Sequence, residues 1–291
     1  MSSHSARPVL VLGDVLIDEM RDPSGSVDVP GGSALNVAVG LAVLGTPALL
    51  AGMVGDDDAG RLLRDHLRSH GVPLLATPAP RGTGRAVSDR TDGEPRYSFS
   101  AASRSRTLVP TGELRAAAAR AELIVVSGFP FDDPAEAATL DALVPAGTPL
   151  AIDANPRPGL LHDRDAFAEG LLAAASRAAL VKVGAEDAEL VFGADLASVT
   201  ELLLDAGAGA VLETAGAEGA AYVRRGHREA VPVAAAAGPI VDTMGAGDAA
   251  FATAVAALVA GAADPLTVLS RAMAVAAATV RAPGGLLRLP A

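Results

Sequence analysis

At 291 residues, half of them hydrophobic and 20% charged, the chain is long enough to bury one large core, or a core plus a small appendage. A formal net charge of −11 argues against nucleic acid as a partner, because phosphate backbones are bound by clustered Lys and Arg; the 23 basic residues here are 22 Arg and the single Lys182. With no Cys, disulfides, thiolate nucleophiles and Cys-ligated zinc are excluded, and a reducing cytoplasm is the expected location.

The opening segment, Met1 to Pro8, is short and polar and has no apolar core of signal-peptide length. Later apolar stretches are cut by Gly or Pro before about twenty residues, so no membrane partner is expected. Strands are predicted at Val9 to Leu12, Ala48 to Val54, Leu123 to Ser127, Pro149 to Asp153, Ala179 to Val183 and Ala210 to Thr214. Between them, helices are predicted at Ala34 to Leu44, Gly60 to His70, Glu113 to Arg120, Pro134 to Leu143, Asp165 to Ala174, Glu186 to Phe192 and Leu196 to Ala206. His66 and His70 stand at i, i+4, but without a His-Glu-x-x-His pattern they read as a helix face and not as a zinc pair. Such alternation predicts an α/β fold: a mostly parallel sheet with helices on both faces.

Two stretches break the alternation. Asp22 to Pro30 is a Pro/Gly/Asp-rich excursion, and Gly84 to Phe99 reads as a hairpin with Thr91 to Glu94 as its turn. Together they are expected to form a small β lid that excludes water from a substrate; an ordinary surface hairpin is the other reading. Ligand sites in such sheets gather beyond the carboxyl ends of the strands. Those ends carry Gly13-Asp14, Gly52, Ser127-Gly128, Asp153-Ala154-Asn155, Gly184 and Thr214-Ala215-Gly216, a small, polar, glycine-rich set suited to a cleft.

The most specific segment is Val241-Asp242-Thr243-Met244-Gly245-Ala246-Gly247-Asp248, followed by the apolar stretch Ala249 to Ala260. Two close glycines permit a tight turn, and the apolar stretch reads as a buried helix opening at that turn, where free amides and the helix dipole suit a phosphate. Asp248 would be repelled by an anion held there, so it is better explained as a proton acceptor for an incoming hydroxyl; an N-cap is the bland alternative. No Gly-Lys-Ser/Thr follows a glycine-rich loop, and Lys182 lacks a protein-kinase context, so both of those kinase classes are set aside. Gly245-Ala246-Gly247-Asp248-Ala249-Ala250 also fits Gly-x-Gly-x-x-Ala with Asp264 downstream, the pattern of a dinucleotide-binding oxidoreductase. Against that reading, Pro265 and a helical pattern follow Asp264 where a strand is required.

With these residues in view the chain resembles the ribokinase-like, or PfkB-type, carbohydrate kinases. Asp242 to Asp248 fits that family's C-terminal signature, Asp-Thr-x-Gly-Ala-Gly-Asp. Pro30-Gly31-Gly32-Ser33-Ala34-Leu35-Asn36-Val37-Ala38 fits the N-terminal one, continued by Leu41 to Gly45 and Val54 to Gly60. The resemblance implies a three-layer α/β/α ribokinase-like domain over residues 1–291, with lid segments near 19–31 and 84–103. It implies ATP-dependent transfer of the γ-phosphate to a sugar hydroxyl, with Asp248 as the base and Gly245, Ala246 and Gly247 as the anion hole. Asp14, Asp18, Gly31, Gly32 and Asn36 would contact the sugar, and Thr214, Gly216, Gly219, Gly247 and Asp187 the nucleotide. Magnesium would arrive with ATP, Asp242 would lie beside a monovalent cation such as potassium, and a homodimer would form through the exposed edge of the lid.

Departures from the family pattern are visible as well. Gly184-Ala185-Glu186-Asp187 stands where many relatives carry Asn-x-x-Glu near the magnesium and phosphates, and Met273 falls where relatives often place Asn or His beside the adenine. Ala282 to Gly285 matches the end of the cation loop loosely. Asp153-Ala154-Asn155-Pro156-Arg157-Pro158 resembles the fructokinase and 2-keto-3-deoxygluconate kinase branch, and Arg157, Arg104 and Arg106 offer pairing to an anionic sugar. A neutral, fructose-like hexose is the favoured substrate, a 2-keto-3-deoxy sugar acid the next and a nucleoside after it. A catalytically silent sugar- or nucleotide-binding relative is the alternative from another class.

Overall fold

The computed structural model describes residues 7–89, 96–262 and 264–290. The chain opens with strands β1 (Val9–Gly13), β2 (Leu16–Asp22) and β3 (Gly25–Gly31), followed by helix α1 (Ser33–Val43), β4 (Ala48–Met53) and α2 (Asp58–Ser69). There follow β5 (Leu74–Thr77), β6 (Gly84–Asp89), β7 (Arg96–Phe99), a short α3 (Ala101–Arg104) and α4 (Gly112–Arg120). Next come β8 (Leu123–Ser127), α5 (Pro134–Leu143), β9 (Leu150–Asp153), α6 (Arg164–Ala175), β10 (Ala178–Gly184) and α7 (Ala185–Phe192). The last part runs α8 (Leu196–Ala206), β11 (Val211–Thr214), β12 (Ala220–Arg224), β13 (His227–Val231), α9 (Ala246–Val259) and α10 (Pro265–Thr279).

Among the described residues the main sheet has nine strands in the order β13-β12-β11-β10-β9-β8-β1-β4-β5, parallel except for the antiparallel β12 and β13. Why β1 is apolar at four consecutive positions follows from its central place: Val9 and Val11 enter the core on one face, Leu10 and Leu12 the core on the other. The first core is closed by α1, α2, α9 and α10, the second by α4 to α8. The expected three layers are therefore present, and no helix among the described residues is long and apolar enough to cross a membrane.

The lid is a separate four-stranded sheet, β3-β2-β6-β7, in which β2 pairs parallel with β6 and antiparallel with β3. Arg85 on β6 clamps it, donating to both carboxylate oxygens of Asp28 on β3 at 2.8 Å each and to Glu19 on β2 at 3.2 Å. The Asp22 to Pro30 excursion is thus the turn and second strand of a β2/β3 hairpin. The hairpin predicted at Gly84 to Phe99 is present as β6/β7, its turn at Thr91 to Glu94 lying outside the described residues.

Most predicted boundaries agree to within one or two residues, and capping sets the helix starts. Asp57, Thr111, Asp133, Asp163, Asp195 and Asp264 each accept a backbone amide in the first turn of the helix that follows. Asp264 is therefore the N-cap of α10, and the segment before Gly245 is not a strand, which removes the dinucleotide-fold reading. Sequence reading placed no strand at β5, β12 or β13. They are short, lie at or near the sheet's edges, and their Ala and polar residues mute the alternation that marks a half-buried strand.

Candidate active site

Two helices that start at the site differ from the capped majority. Both α1 and α9 begin at a glycine, Gly32 and Gly245, with no side chain on their first amides. Gly245 has φ +75°, and a Cβ there would lie 2.1 Å from the carbonyl oxygen of Gly285, so only glycine fits. Asp248 is the third residue of α9 and not its cap. Its carboxylate stands among the free amides of the turn, with Ala246 N making only a long 3.4 Å contact to Thr243 O.

Asp248 is held from the far end of the chain. Asn36 Nδ2 donates to its Oδ2 at 2.8 Å and Ser33 Oγ to its Oδ1 at 3.1 Å. Behind it, Ser33 hydrogen-bonds Ser127, Ser127 Oγ lies 3.5 Å from Asp153 Oδ2, and Asp153 Oδ1 accepts from Lys182 Nζ at 2.9 Å. Lys182 also lies 3.7 Å from Asp187 Oδ2, and a Cβ on Gly247 would come within 3.3 Å of its Nζ. The lone lysine therefore sits directly beneath the glycine turn at Gly245 to Gly247. Burial would discharge its ammonium, but Asp153 and Asp187 overcome that and hold its pKa above the ordinary lysine value. Ser127 and Asp153 belong to the strand-end set expected to line a cleft and Ser33 to the N-terminal signature, but none of them was expected in a particular role; the signal for Lys182 was a charge alone in the apolar run Leu180-Val181-Lys182-Val183.

Among the residues expected to contact the sugar, Asp18 lies on lid strand β2. A Cβ on Gly31 would fall 2.0 Å from Asp18 Oδ2, and one on Gly32 2.4 Å from Asp14 O, so the two glycines let lid, β1 and α1 converge. Burial, with Asp248 adding to it, raises Asp18 to about 7, and burial raises Asp14 to about 6 against the pull of Arg106 and Arg157. Of the predicted arginines, Arg157 is exposed but within electrostatic reach of both aspartates, and Arg104 is exposed at the end of α3. Arg106 turns inward in its stead, 3.6 Å from Asp14 Oδ2, donating to Gly128 O at 3.3 Å and Leu160 O at 3.0 Å.

Of the residues expected at the nucleotide, Thr214 is paired with Gly184 at the carboxyl ends of β11 and β10. The turn Gly216–Glu218 follows, where Gly216 has φ +52° and open space beyond its Cα, while Gly219 packs against Val231 O. Asp187 is turned inward, accepting from Gly184 N at 2.8 Å as it closes the start of α7. Asp242 bridges two loops, its Oδ1 accepting from Met244 N at 3.0 Å and its Oδ2 from Gly284 N at 3.2 Å. This seats Ala282 to Gly285 against the signature turn. Met273 is part of the core and not of an open adenine surface.

An uncapped helix start, a carboxylate beside it and converging lid and sheet edges define a phosphotransferase with an alcohol acceptor. The family model for pfkB family carbohydrate kinases matches residues 13–291, and the chain belongs to that family. Fructokinase from Klebsiella pneumoniae is 31% identical over 299 residues, covering 97% of this chain and 96% of its own. Aminoimidazole riboside kinase from Salmonella typhimurium is 29% identical, covering 83% of this chain and 77% of its own. The crystal structure of a fructokinase with bound ATP from Xylella fastidiosa superposes with a TM-score of 0.78 at 25% identity, covering 96% of this chain and 94% of that one. The protein is thus a sugar kinase.

Proposed function

We propose that the protein transfers the γ-phosphate of ATP to a hydroxyl of a neutral, fructose-like sugar, with Asp248 as the general base. The observation that carries this reading is the Asp248 carboxylate, fixed by Asn36 and Ser33 at the uncapped start of α9. A proton acceptor and an anion hole within one helical turn suit in-line transfer, where the attacking oxygen loses a proton as the phosphoryl group gains charge. The sugar's O–H bond breaks toward Asp248, its oxygen bonds the γ-phosphorus, and the bridging bond to ADP breaks with its electron pair on ADP. The amides of Gly245, Ala246 and Gly247 and the buried Lys182 ammonium provide positive potential under the transferred group. Gly216, with nothing beyond its Cα, fits a backbone that nucleotide phosphates approach, and Thr214 and Gly219 frame that turn. Likeness to an ATP-bound fructokinase supports the same donor.

Magnesium would be carried on the ATP phosphates; among the described residues no group of three or more His, Asp or Glu side chains is arranged to hold a metal ion. Asp242, pinning the signature turn to Gly284, is where a potassium-like cation would steady the loop.

Neutrality of the sugar follows from charge. Asp14 and Asp18 are acceptors for hydroxyls, the two terminal nitrogens of Arg106 are taken by two carbonyls and Asp14 while its buried Nε has no partner, and Arg104 is exposed, which favours a neutral sugar over one that needs a bidentate arginine. A 2-keto-3-deoxy sugar acid would depend on Arg157 and on the remaining Nε of Arg106. A riboside is the second reading, favoured by the likeness to aminoimidazole riboside kinase. Asp248, held by Asn36 and Ser33, supports all three over a silent binder, which has no use for a base. We read residues 1–291 as one kinase domain, dimerising through the lid where β3 presents the exposed Val27; light scattering showing a monomer at working concentration would reject the dimer. The function itself is tested by substrate-dependent ADP release across neutral sugars, sugar acids and ribosides. Turnover strongest with a neutral ketohexose is expected, and no turnover with any of them overturns the reading.

A further inference from the structure

Behind Asp248 four elements contribute a single file of polar side chains. Ser33 comes from the start of α1, Ser127 from the end of β8, Asp153 from the end of β9 and Lys182 from within β10. Ser127 and Asp153 have no exposed surface, and the file touches neither sugar nor nucleotide in the arrangement proposed above. Three links join the two carboxylates: Asp248 to Ser33, Ser33 to Ser127, and Ser127 to Asp153. Two hydroxyls bring two protons, one too few for three links. With both carboxylates ionised, one link must stand without a proton, and the longest, Ser127 to Asp153 at 3.5 Å, is at the Asp153 end. Asp153 tolerates this because its other oxygen is held by Lys182 at 2.9 Å.

We infer that Ser33, Ser127 and Asp153 form a reversible hydroxyl chain that serves both protonation states of Asp248, with Lys182 fixing its far end. The inference rests on Asp248 acting as the base. Before transfer, Ser127 donates to Ser33 and Ser33 to ionised Asp248. Once the substrate's proton resides on Asp248 Oδ1, that O–H donates to Ser33, Ser33 to Ser127 and Ser127 to Asp153. The third proton fills the third link. Only two rotations about Cβ–Oγ are needed; neither serine loses its own hydrogen, and no net charge leaves Asp248. A buried carboxylic acid facing a hydroxyl that can only donate would leave its proton unmatched, which costs free energy in a site closed to water. Ser127 and Asp153 are therefore positioning residues acting through Asp248.

The charged groups around the file are few. Asp248 is faced by Asn36 from α1, by Asp18 from the lid and by Lys182; Asp153 is faced by Lys182 from β10, Asp187 from α7 and Asp248 from α9. Burial and the two neighbouring aspartates push Asp153 up, and Lys182 opposes them.

The test compares kcat, both KM values and the pH profile of kcat in the parent, Ser127→Ala, Ser127→Thr and Asp248→Asn. For Ser127→Ala the expected result is a fall in kcat of about tenfold, the worth of one hydrogen bond. Both KM values should stay within about twofold and the acid limb of the kcat profile should move to lower pH, because the ionised base keeps its Ser33 donor while the protonated base loses its acceptor chain. Ser127→Thr, which retains the hydroxyl, should restore both rate and profile. A Ser127→Ala enzyme with parental kcat and parental acid limb overturns the chain while the loss of turnover in Asp248→Asn leaves the base intact. If Asp248→Asn itself turns over at the parental rate, or no sugar is phosphorylated, the base or kinase reading falls and the chain with it. Should Ser127→Ala fail to fold, as judged by thermal denaturation, Ser127→Cys, close to serine in size and only a weak hydrogen-bonding group, carries the same kcat and pH test.

Discussion

Asn36 Nδ2 donates to Asp248 Oδ2 at 2.8 Å across 212 residues of chain, joining the N-terminal glycine motif to the C-terminal one through a buried hydrogen bond. Beside the sugar contact expected for Asn36, for which its Oδ1 is left without a hydrogen-bond partner, the bond gives it a second proposed role, orienting Asp248 as the base. Hydrogen bonds to a charged group are worth about 1.5–3 kcal/mol, so Asn36→Ala is expected to lower kcat by about ten- to a hundredfold. Steady-state kinetics should show the ATP KM little changed. An equal rise in sugar KM with kcat preserved would return Asn36 to the sugar.

Removing the base itself is the sharper experiment. Asp248→Ala is expected to lower kcat by about a hundredfold or more, as general bases contribute at least that much. Sugar binding, measured by calorimetry without ATP, should survive, because the sugar contacts proposed for Asp14, just after β1, and Asp18, on the lid, are left in place. Turnover within about tenfold of the parent would remove Asp248 from the chemistry.

Asp18 and Asp14 predict a pH dependence with a definite sign. Their folded pKa values, about 7 and about 6, lie above the ordinary value of 3.8, so the folded state binds more protons than the unfolded one between those limits. Stability therefore falls as pH rises from about 4 to about 7. Asp18→Asn should raise Tm at pH 8 and flatten its decline across that range, at the expense of sugar affinity. In the parent, sugar KM should fall as Asp18 ionises near pH 7, and that trend should vanish in Asp18→Asn. A Tm unaffected by the substitution at pH 8 would contradict the burial argument.

Much of this site was legible in the sequence because its parts are backbone devices. Gly31, Gly32 and Gly245 were readable since close approach and positive φ leave few other residues possible, and the two motifs fixed the ends that had to meet. What stayed hidden was pairwise. That Asp187 closes its own helix, that Met273 belongs to the core and that Arg106 and not Arg104 turns inward depend on side-chain direction at neighbouring positions, which periodicity does not carry. The lid shows the same division: its turn-rich excursion was visible, yet β2 starts at Leu16, ahead of the lid segment expected near 19–31, so that Asp18 lies on the lid as well. Lys182 was dismissed because it followed no glycine-rich loop. Its partners Asp153 and Asp187 come from an adjacent strand and the next helix, and their approach to it is set by the fold and not by spacing along the chain.

That lysine yields the last prediction. Lys182 and Asp153 form a buried ion pair at 2.9 Å, with Asp187 3.7 Å from the same ammonium. Creating such a pair gains little over an apolar one, but deleting one member strands the other charge, at a cost of about 3–5 kcal/mol. Lys182→Met, close in length and apolar, leaves two carboxylates uncompensated beneath the signature turn and should lower the unfolding free energy by that amount in urea titration. The loss should shrink in acid, where Asp153 is protonated and no longer needs a cation. Adding Asp153→Asn to Lys182→Met removes one stranded charge, so the double variant should be more stable than Lys182→Met alone. If the two losses instead add, the pair is not coupled, and the charge beneath Gly247 is solvated by some other route.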